Sequence, residues 1–258
     1  MTKQPQAADR RLPVSKEALQ TAYLNFRHPQ YQRHNRRRQE HLATLGLDLR
    51  NKSVLELGAG VGDHTTFFLD RGCSVVSLEP RAENCRLFAQ TMRQLRERGY
   101  GKAVNSTLVL GDVESMDKTI RKTFDIVYCY GLLYHLADPR PVMAAMAGRC
   151  SGLLLLETCV SFGEEEALNP VTEVRANPTQ SFQGTGCRPT RIWVFRRLKK
   201  LFPFVYVPST QPAHEEFPLN WAGPSRSGLL TRAIFVGSRH TITNSLLLDH
   251  LPQEQTAC

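Results

Sequence analysis

Long apolar runs are missing from this sequence. No stretch approaches the roughly 18 consecutive apolar residues that a membrane-crossing helix needs, and Met1 to Arg11 is polar, without the apolar core of an export signal. Paired cysteine motifs are missing as well. The seven cysteines, Cys73, Cys85, Cys129, Cys150, Cys159, Cys187 and Cys258, are odd in number and show no Cys-x-x-Cys spacing. That usage excludes a zinc ribbon and a disulfide framework and fits a reduced, intracellular protein. There is no internal repeat, no low-complexity tract and no basic run interleaved with aromatics, so no appended RNA-binding module is expected. These absences together predict a soluble, cytoplasmic protein with no membrane partner.

What is present is enough apolar residue, 41% of 258 positions, for one substantial core with extensions. The net charge is +9, which suits an anionic partner or serves solubility alone. The basic residues gather at Arg33, Arg36, Arg37 and Arg38, along Arg81 to Arg98, and at Arg191, Arg196, Arg197, Lys199 and Lys200. Each cluster falls on a predicted helix, where a solvated face is the simplest reading.

Residues 1–12 are polar without apolar period and read as disordered. Ser15 reads as the cap of a helix over Pro13 to Phe26, with Ala18, Leu19, Ala22, Tyr23 and Phe26 at helical spacing. A second helix is predicted from Tyr31 to Leu45, stopped by Gly46. From Ser53 strands and helices alternate, the pattern of a parallel sheet covered on both faces. Strands are predicted at Val54–Leu57, Ser74–Leu78, Thr107–Leu110, Phe124–Cys129 and Gly152–Glu157, with helices at Asp63–Arg71, Arg81–Arg98, a short turn near Asp117–Arg121, and Pro139–Arg149. Thr158 to Pro189 has no period and reads as a long inserted loop. A helix over Thr190–Phe202 then precedes strands Phe204–Pro208 and Arg232–Ser238, joined through Gln211–Gly228 without a helix and therefore antiparallel.

The most informative stretch is Val54-Leu55-Glu56-Leu57-Gly58-Ala59-Gly60-Val61-Gly62-Asp63-His64. A buried strand that breaks into closely spaced glycines allows a sharp turn and a close ligand approach before a helix. Glu79 ends the next strand, where a carboxylate accepts hydrogen bonds from two ribose hydroxyls. Asp112 follows the third strand inside Gly111-Asp112-Val113, placed to take an adenine amino group while Val113 packs near the ring. Any one of these residues also suits a cap or a turn; their succession at three strand ends favours a nucleoside site.

With these residues in place the chain resembles the class I S-adenosylmethionine-dependent methyltransferases, through Val54 to Gly62, Glu79, Gly111-Asp112-Val113 and Phe124-Asp125-Ile126-Val127-Tyr128. Its glycines follow Gly-x-Gly-x-Gly and not the Gly-x-Gly-x-x-Gly of a dinucleotide dehydrogenase. The resemblance implies an α/β fold: a Rossmann-like, seven-stranded mixed sheet, with an N-terminal helical cap and a late insertion. The expected organisation is a tail and cap over 1–48, an S-adenosylmethionine-binding domain over 49–240 with acceptor-side insertions at 158–189 and 211–228, and a C-terminal tail over 241–258. It also implies that Glu56, Gly58, Ala59, Gly60 and Gly62 hold the methionine part, Glu79 the ribose, and Asp112 with Val113 the adenine. His64, Pro80 and Tyr130 complete that cofactor set, and Arg33 with His34 would close over the methionine carboxylate. Segments Tyr31 to Arg37, Gly184 to Arg191 and Thr210 to Pro218 look like a group of stand-alone bacterial methyltransferases whose acceptor is not identified.

Residues after the fourth strand should face the transferred methyl, which makes His135, with Tyr134 beside it, the candidate base. The alternative is that His135 caps the following helix or packs under Pro139. Arg188 and Arg191 are candidates for an anionic acceptor, or else mark a helix start with Arg191 solvated. His214 and Glu157 are candidate acceptor-pocket residues. His214, Glu215 and Glu216 are adjacent on extended chain and point alternately, so no metal is expected there. The leading expectation is methyl transfer to a small molecule or glycan, with O-methylation favoured. The alternatives are a transfer-RNA wobble-uridine methyltransferase or alkyltransferase, suggested by the basic cap, Gly131 to His135 and Leu155 to Thr158, and a non-catalytic S-adenosylmethionine-binding protein. Oligomeric state is not legible.

Overall fold

The computed structural model describes residues 13–222 and 228–258. The tail expected to be disordered, 1–12, and the end of the 211–228 arm, 223–227, lie outside the described residues. Two helices come first, α1 (Lys16–Arg27) and α2 (Pro29–Thr44). The Ser15 hydroxyl accepts from the Ala18 backbone N–H at 3.1 Å and starts α1, and Pro29 sits at the first turn of α2, where its missing N–H costs nothing.

The alternating part follows as β1 (Ser53–Leu57), α3 (Thr65–Leu69), β2 (Ser74–Glu79), α4 (Ala82–Glu97), β3 (Ser106–Leu110), α5 (Met116–Thr119), β4 (Phe124–Tyr130), α6 (Arg140–Arg149) and β5 (Cys150–Cys159). The insertion contributes β6 (Pro170–Thr172) and β7 (Thr185–Cys187), and the chain ends with α7 (Arg191–Lys199), β8 (Phe204–Pro208), β9 (Thr210–Gln211), β10 (Arg232–Ser238), β11 (Leu247–Leu248) and β12 (Thr256–Ala257).

The main sheet runs β11-β8-β10-β5-β4-β1-β2-β3. Strands β1 to β5 pair in parallel, while β10 is antiparallel to β5 and to β8. The expectation of seven strands is corrected to eight. Leu247 and Leu248 pair with Pro208 and Val207 along the otherwise open edge of β8, inside the segment read as a tail. A two-residue strand carries no alternation, so only its tertiary partner reveals it. The insertion likewise holds a short antiparallel pair, β6 with β7, where no period was visible.

Alternation along β4 divides the core. Val127 and Cys129 face α6 and α7 with Met143, Met146, Trp193 and Leu198, while Ile126, Tyr128 and Tyr130 face α2, α3 and α4 with Leu42, Phe68 and Phe88. The strand order reverses between β1 and β4, which opens a crevice at their carboxyl ends. The glycine turn after β1, Glu79, Asp112 and the residues after β4 all reach it.

Candidate functional site

A cleft of about 550 Å³ opens at that edge. Gly58, Gly60, Glu79, Pro80, Asp112, Val113 and Tyr130 line it from the sheet, and Tyr134, His135, Arg188 and His214 line it from the opposite side. Glu56, Ala59 and His64 stand behind the glycine turn around a small recess of about 30 Å³.

Gly60 shows what the turn demands. Its φ is +55°, and a Cβ there would lie 2.7 Å from the Phe26 ring of α1. The missing side chain therefore admits the cap helix as well as a ligand. Gly62, at φ +87°, faces Phe88 and Met92 and is not among the residues lining the cleft.

Glu79 is 4% exposed, and its carboxylate accepts from the backbone N–H of Gly60 (3.0 Å) and of Arg81 (3.1 Å) and from the Asn84 amide (3.0 Å). Burial pushes its pKa up to about 7 against these donors. Glu56, wholly within the core, is likewise raised to about 7 by burial, opposed by the hydroxyls of Thr65 (2.6 Å) and Ser77 (2.7 Å). Asp112 caps the next turn through Oδ1, which accepts from Glu114 N–H at 3.0 Å, while Oδ2 accepts from the Gln183 amide of the insertion at 3.1 Å.

On the cap helix, Tyr31, His34 and Arg38 line the cleft. These positions, with Asn35, share one helical face. Arg33 lies on another face, 47% exposed, and pairs with Glu215 at the mouth. Arg38 reaches inward instead: buried, it donates to Glu157 at 2.8 Å and pairs with Asn35, and it lies 3.3 Å from His64 Nε2. The sequence reading placed Arg38 on a solvated face; the spacing 31, 34, 35, 38, 41, 42 was the signal available, masked because four of those six residues are polar or charged.

Glu157 is fully buried and does not line the cleft. It links Arg38 to Arg232 (3.0 Å), and Arg232 donates on to Glu216 at 2.5 Å. Burial acts to raise the Glu157 pKa, but the Arg232 and Arg38 guanidiniums outweigh it and hold it below the usual carboxylate range. Arg191 is also away from the cleft: its guanidinium stacks 3.9 Å from the Trp221 ring centroid, donates to the Pro252 carbonyl, and is driven down to about 9 by burial.

Several polar atoms here are buried without a partner among the described residues: Tyr130 Oη, His34 Nε2, Arg38 Nε and Asn84 Oδ1. Tyr130, His34 and Arg38 cluster at the cap end of the cleft, and Asn84 sits beside Glu79. The residues sequence reasoning missed are Arg38, Asn84, Arg81, Glu173 and Arg232.

Some basic residues outside the cleft pair with acids. Arg37 pairs with Glu40, Arg196 with Glu166, and Arg149 with Asp117. Cys187 is buried and its thiol is pushed up to about 12 by burial, so it stays protonated. No helix among the described residues is long and apolar enough to cross a membrane.

Residues 55–151 match a family model described as a methyltransferase domain. No curated protein matches the chain. Among solved structures, the N-terminal domain of EvdMO1, crystallised in the presence of SAH and D-fucose, is 24% identical with a TM-score of 0.57, over 82% of this chain and 84% of that one. The match to EvdMO1 itself spans 81% of this chain and 41% of that chain, with a TM-score of 0.52. The glycopeptide N-methyltransferase MtfA, complexed with SAH, is 19% identical with a TM-score of 0.51, over 79% and 88% of the two chains. The fold is that of the class I methyltransferases.

Proposed function

We propose that this chain is a class I methyltransferase that uses S-adenosylmethionine to methylate a small-molecule or glycan acceptor, with a hydroxyl as the accepting group. The observation that carries the reading is the single cleft that brings the glycine turn, Glu79, Asp112 and His135 together. Similarity to the EvdMO1 domain crystallised with SAH and D-fucose, and to the glycopeptide enzyme, supports it.

When bound, the cofactor supplies a methyl group already activated by a sulfonium. The protein's work is therefore binding, alignment and proton removal. Glu79 and the Asn84 amide oxygen would take the ribose hydroxyls, and the Asp112 carboxylate the adenine amino group once Gln183 yields it. Arg38 and His34, and not Arg33, are proposed to meet the methionine end, since both line the cleft and Arg33 does not. His135 is proposed to remove the acceptor proton. Burial lowers its pKa and outweighs the Glu173 carboxylate, which acts to raise it, so the ring is neutral and able to accept at physiological pH. Tyr134, Arg188 and His214 would wall the acceptor side.

Two measurements test this. Calorimetry should detect SAH binding, and its absence would remove the methyltransferase reading. A labelled-methyl assay on fractionated extract of the source cell should then yield a labelled small molecule or saccharide; label confined to transfer RNA would replace the acceptor proposed. In that assay His135→Gln is expected to lose roughly 10² to 10⁴ in rate with SAH affinity retained.

A further inference from the structure

The insertion brings one acid into the cleft that no strand-end motif announces. Glu173, next to β6, is buried (side chain 5% exposed), and one oxygen, Oε2, contacts His135 Nδ1 while also accepting from the Ser181 backbone N–H at 2.8 Å. Its other oxygen, Oε1, accepts from Arg188 at 3.2 Å. The approach is close enough to need a glycine. A Cβ on Gly186 of β7 would lie 2.5 Å from the Tyr134 carbonyl oxygen and 3.1 Å from Glu173 Oε1.

We propose that Glu173 is the positioning residue that makes His135 a directed base: by accepting the Nδ1 hydrogen it holds the imidazole in one tautomer, leaving the Nε2 lone pair for the acceptor hydroxyl. In that step the proton leaves the hydroxyl oxygen for Nε2, the electron pair of the O–H bond stays on oxygen, and the imidazolium formed is held against the Glu173 carboxylate. The proposal rests on the methyltransferase reading above. An acid alone in this place would serve as well to pin the insertion, but the geometry does more. The carboxylate is fixed by two donors, the Ser181 N–H and Arg188, besides the ring it meets, which is how a preorganised pair differs from a surface ion pair. Burial acts to raise the Glu173 pKa, and His135, Ser181 N–H and Arg188 outweigh it, so the acid stays ionised.

The same strap is latched over the nucleoside end. Arg81 donates to the carbonyls of Arg175 (2.8 Å), Ser181 (3.2 Å) and Gln180 (3.3 Å), and the Asn84 amide donates to Pro178 at 3.3 Å. The residues that fasten the strap therefore sit beside Glu79, and the acid they deliver sits beside His135.

The test reads the ring directly and needs no acceptor. The full chain, labelled with ¹⁵N-histidine and saturated with SAH, is titrated by NMR, with the His135 signals assigned from their loss in His135→Gln. The wild type is expected to show Nδ1 protonated and Nε2 bare, and Glu173→Gln to shift the ring titration to lower pH and weaken the tautomer preference. The Nε2-protonated tautomer in the wild type, or His135 signals unchanged in Glu173→Gln, would overturn the proposal. Should Glu173→Gln not fold, the wild-type tautomer alone decides. Failure of the wild type to bind SAH would instead sink the underlying reading, and calorimetry reports that separately.

Discussion

The two ends of the cleft are built by different physics. At the proposed nucleoside end the glycine turn, Glu79 and Asp112 follow β1, β2 and β3, and parallel pairing of neighbouring strands sets them side by side. At the cap end the ion chain Arg38, Glu157, Arg232 and Glu216 draws on α2, β5, β10 and the arm, with partners 119 and 75 residues apart in the chain. The first end needs only local rules to assemble. The second exists only once the whole sheet and the cap have closed, and its buried charges tolerate no missing partner.

The comparison is sharpest on one helix. Arg38→Met would leave Glu157 buried against a single guanidinium and is expected to cost about 3–5 kcal/mol of stability. Arg37→Ala, which breaks only the exposed pair with Glu40, should stay within about 1 kcal/mol. Chemical denaturation of the two variants measures both; equal losses would erase the distinction between the inward and outward faces of α2.

Gly186→Ala probes the acceptor side without touching charge. Overpacking against the Tyr134 carbonyl and Glu173 is expected to cost about 1–3 kcal/mol, with SAH affinity little changed, because the nucleoside residues lie on other strands. A loss of SAH binding larger than the loss of stability would show that the two ends are coupled through the strap.

A further effect is expected from pH. Glu79 titrates near 7 in the ligand-free fold, against about 4.5 when unfolded. A carboxyl whose pKa is raised on folding stabilises the protein below about pH 4.5 and loses that contribution as pH rises through 7. Ribose hydroxyls donate to the ionised form, so SAH affinity should fall as pH drops below 7, by up to tenfold per unit. Calorimetry across pH 5.5 to 8 measures the slope, and Glu79→Gln should flatten it. Glu56, raised to the same range but held by Thr65 and Ser77, should affect the stability profile and leave the binding slope alone.

How much of this could be read from the chain follows the same division. Strand ends, the glycine turn and the antiparallel β8 and β10 were legible because apolar period and turn chemistry are local. The helices near Lys16, Ala82 and Arg140 were placed within a few residues for the same reason. Arg38 was not, since a guanidinium looks equally solvated from either side of a helix until its partner is known. Arg191 was read as an anion-binding or solvated residue, and its stacking on Trp221 depends on a C-terminal segment without periodicity. Glu173 lay in a stretch with no pattern at all; only the β6 and β7 pairing carries it to His135.

The sequence by itself determined the class of sheet, the position of the crevice at its carboxyl edge and the acids Glu79 and Asp112 that line it, because parallel strands and their turns obey rules with a range of a few residues. Tertiary structure alone decided which cap residue enters the cleft, that Leu247 and Leu248 close the sheet edge, and that the insertion sets an acid against His135. Those outcomes depend on burying charges and edges in pairs, and a pair is defined only when distant segments meet.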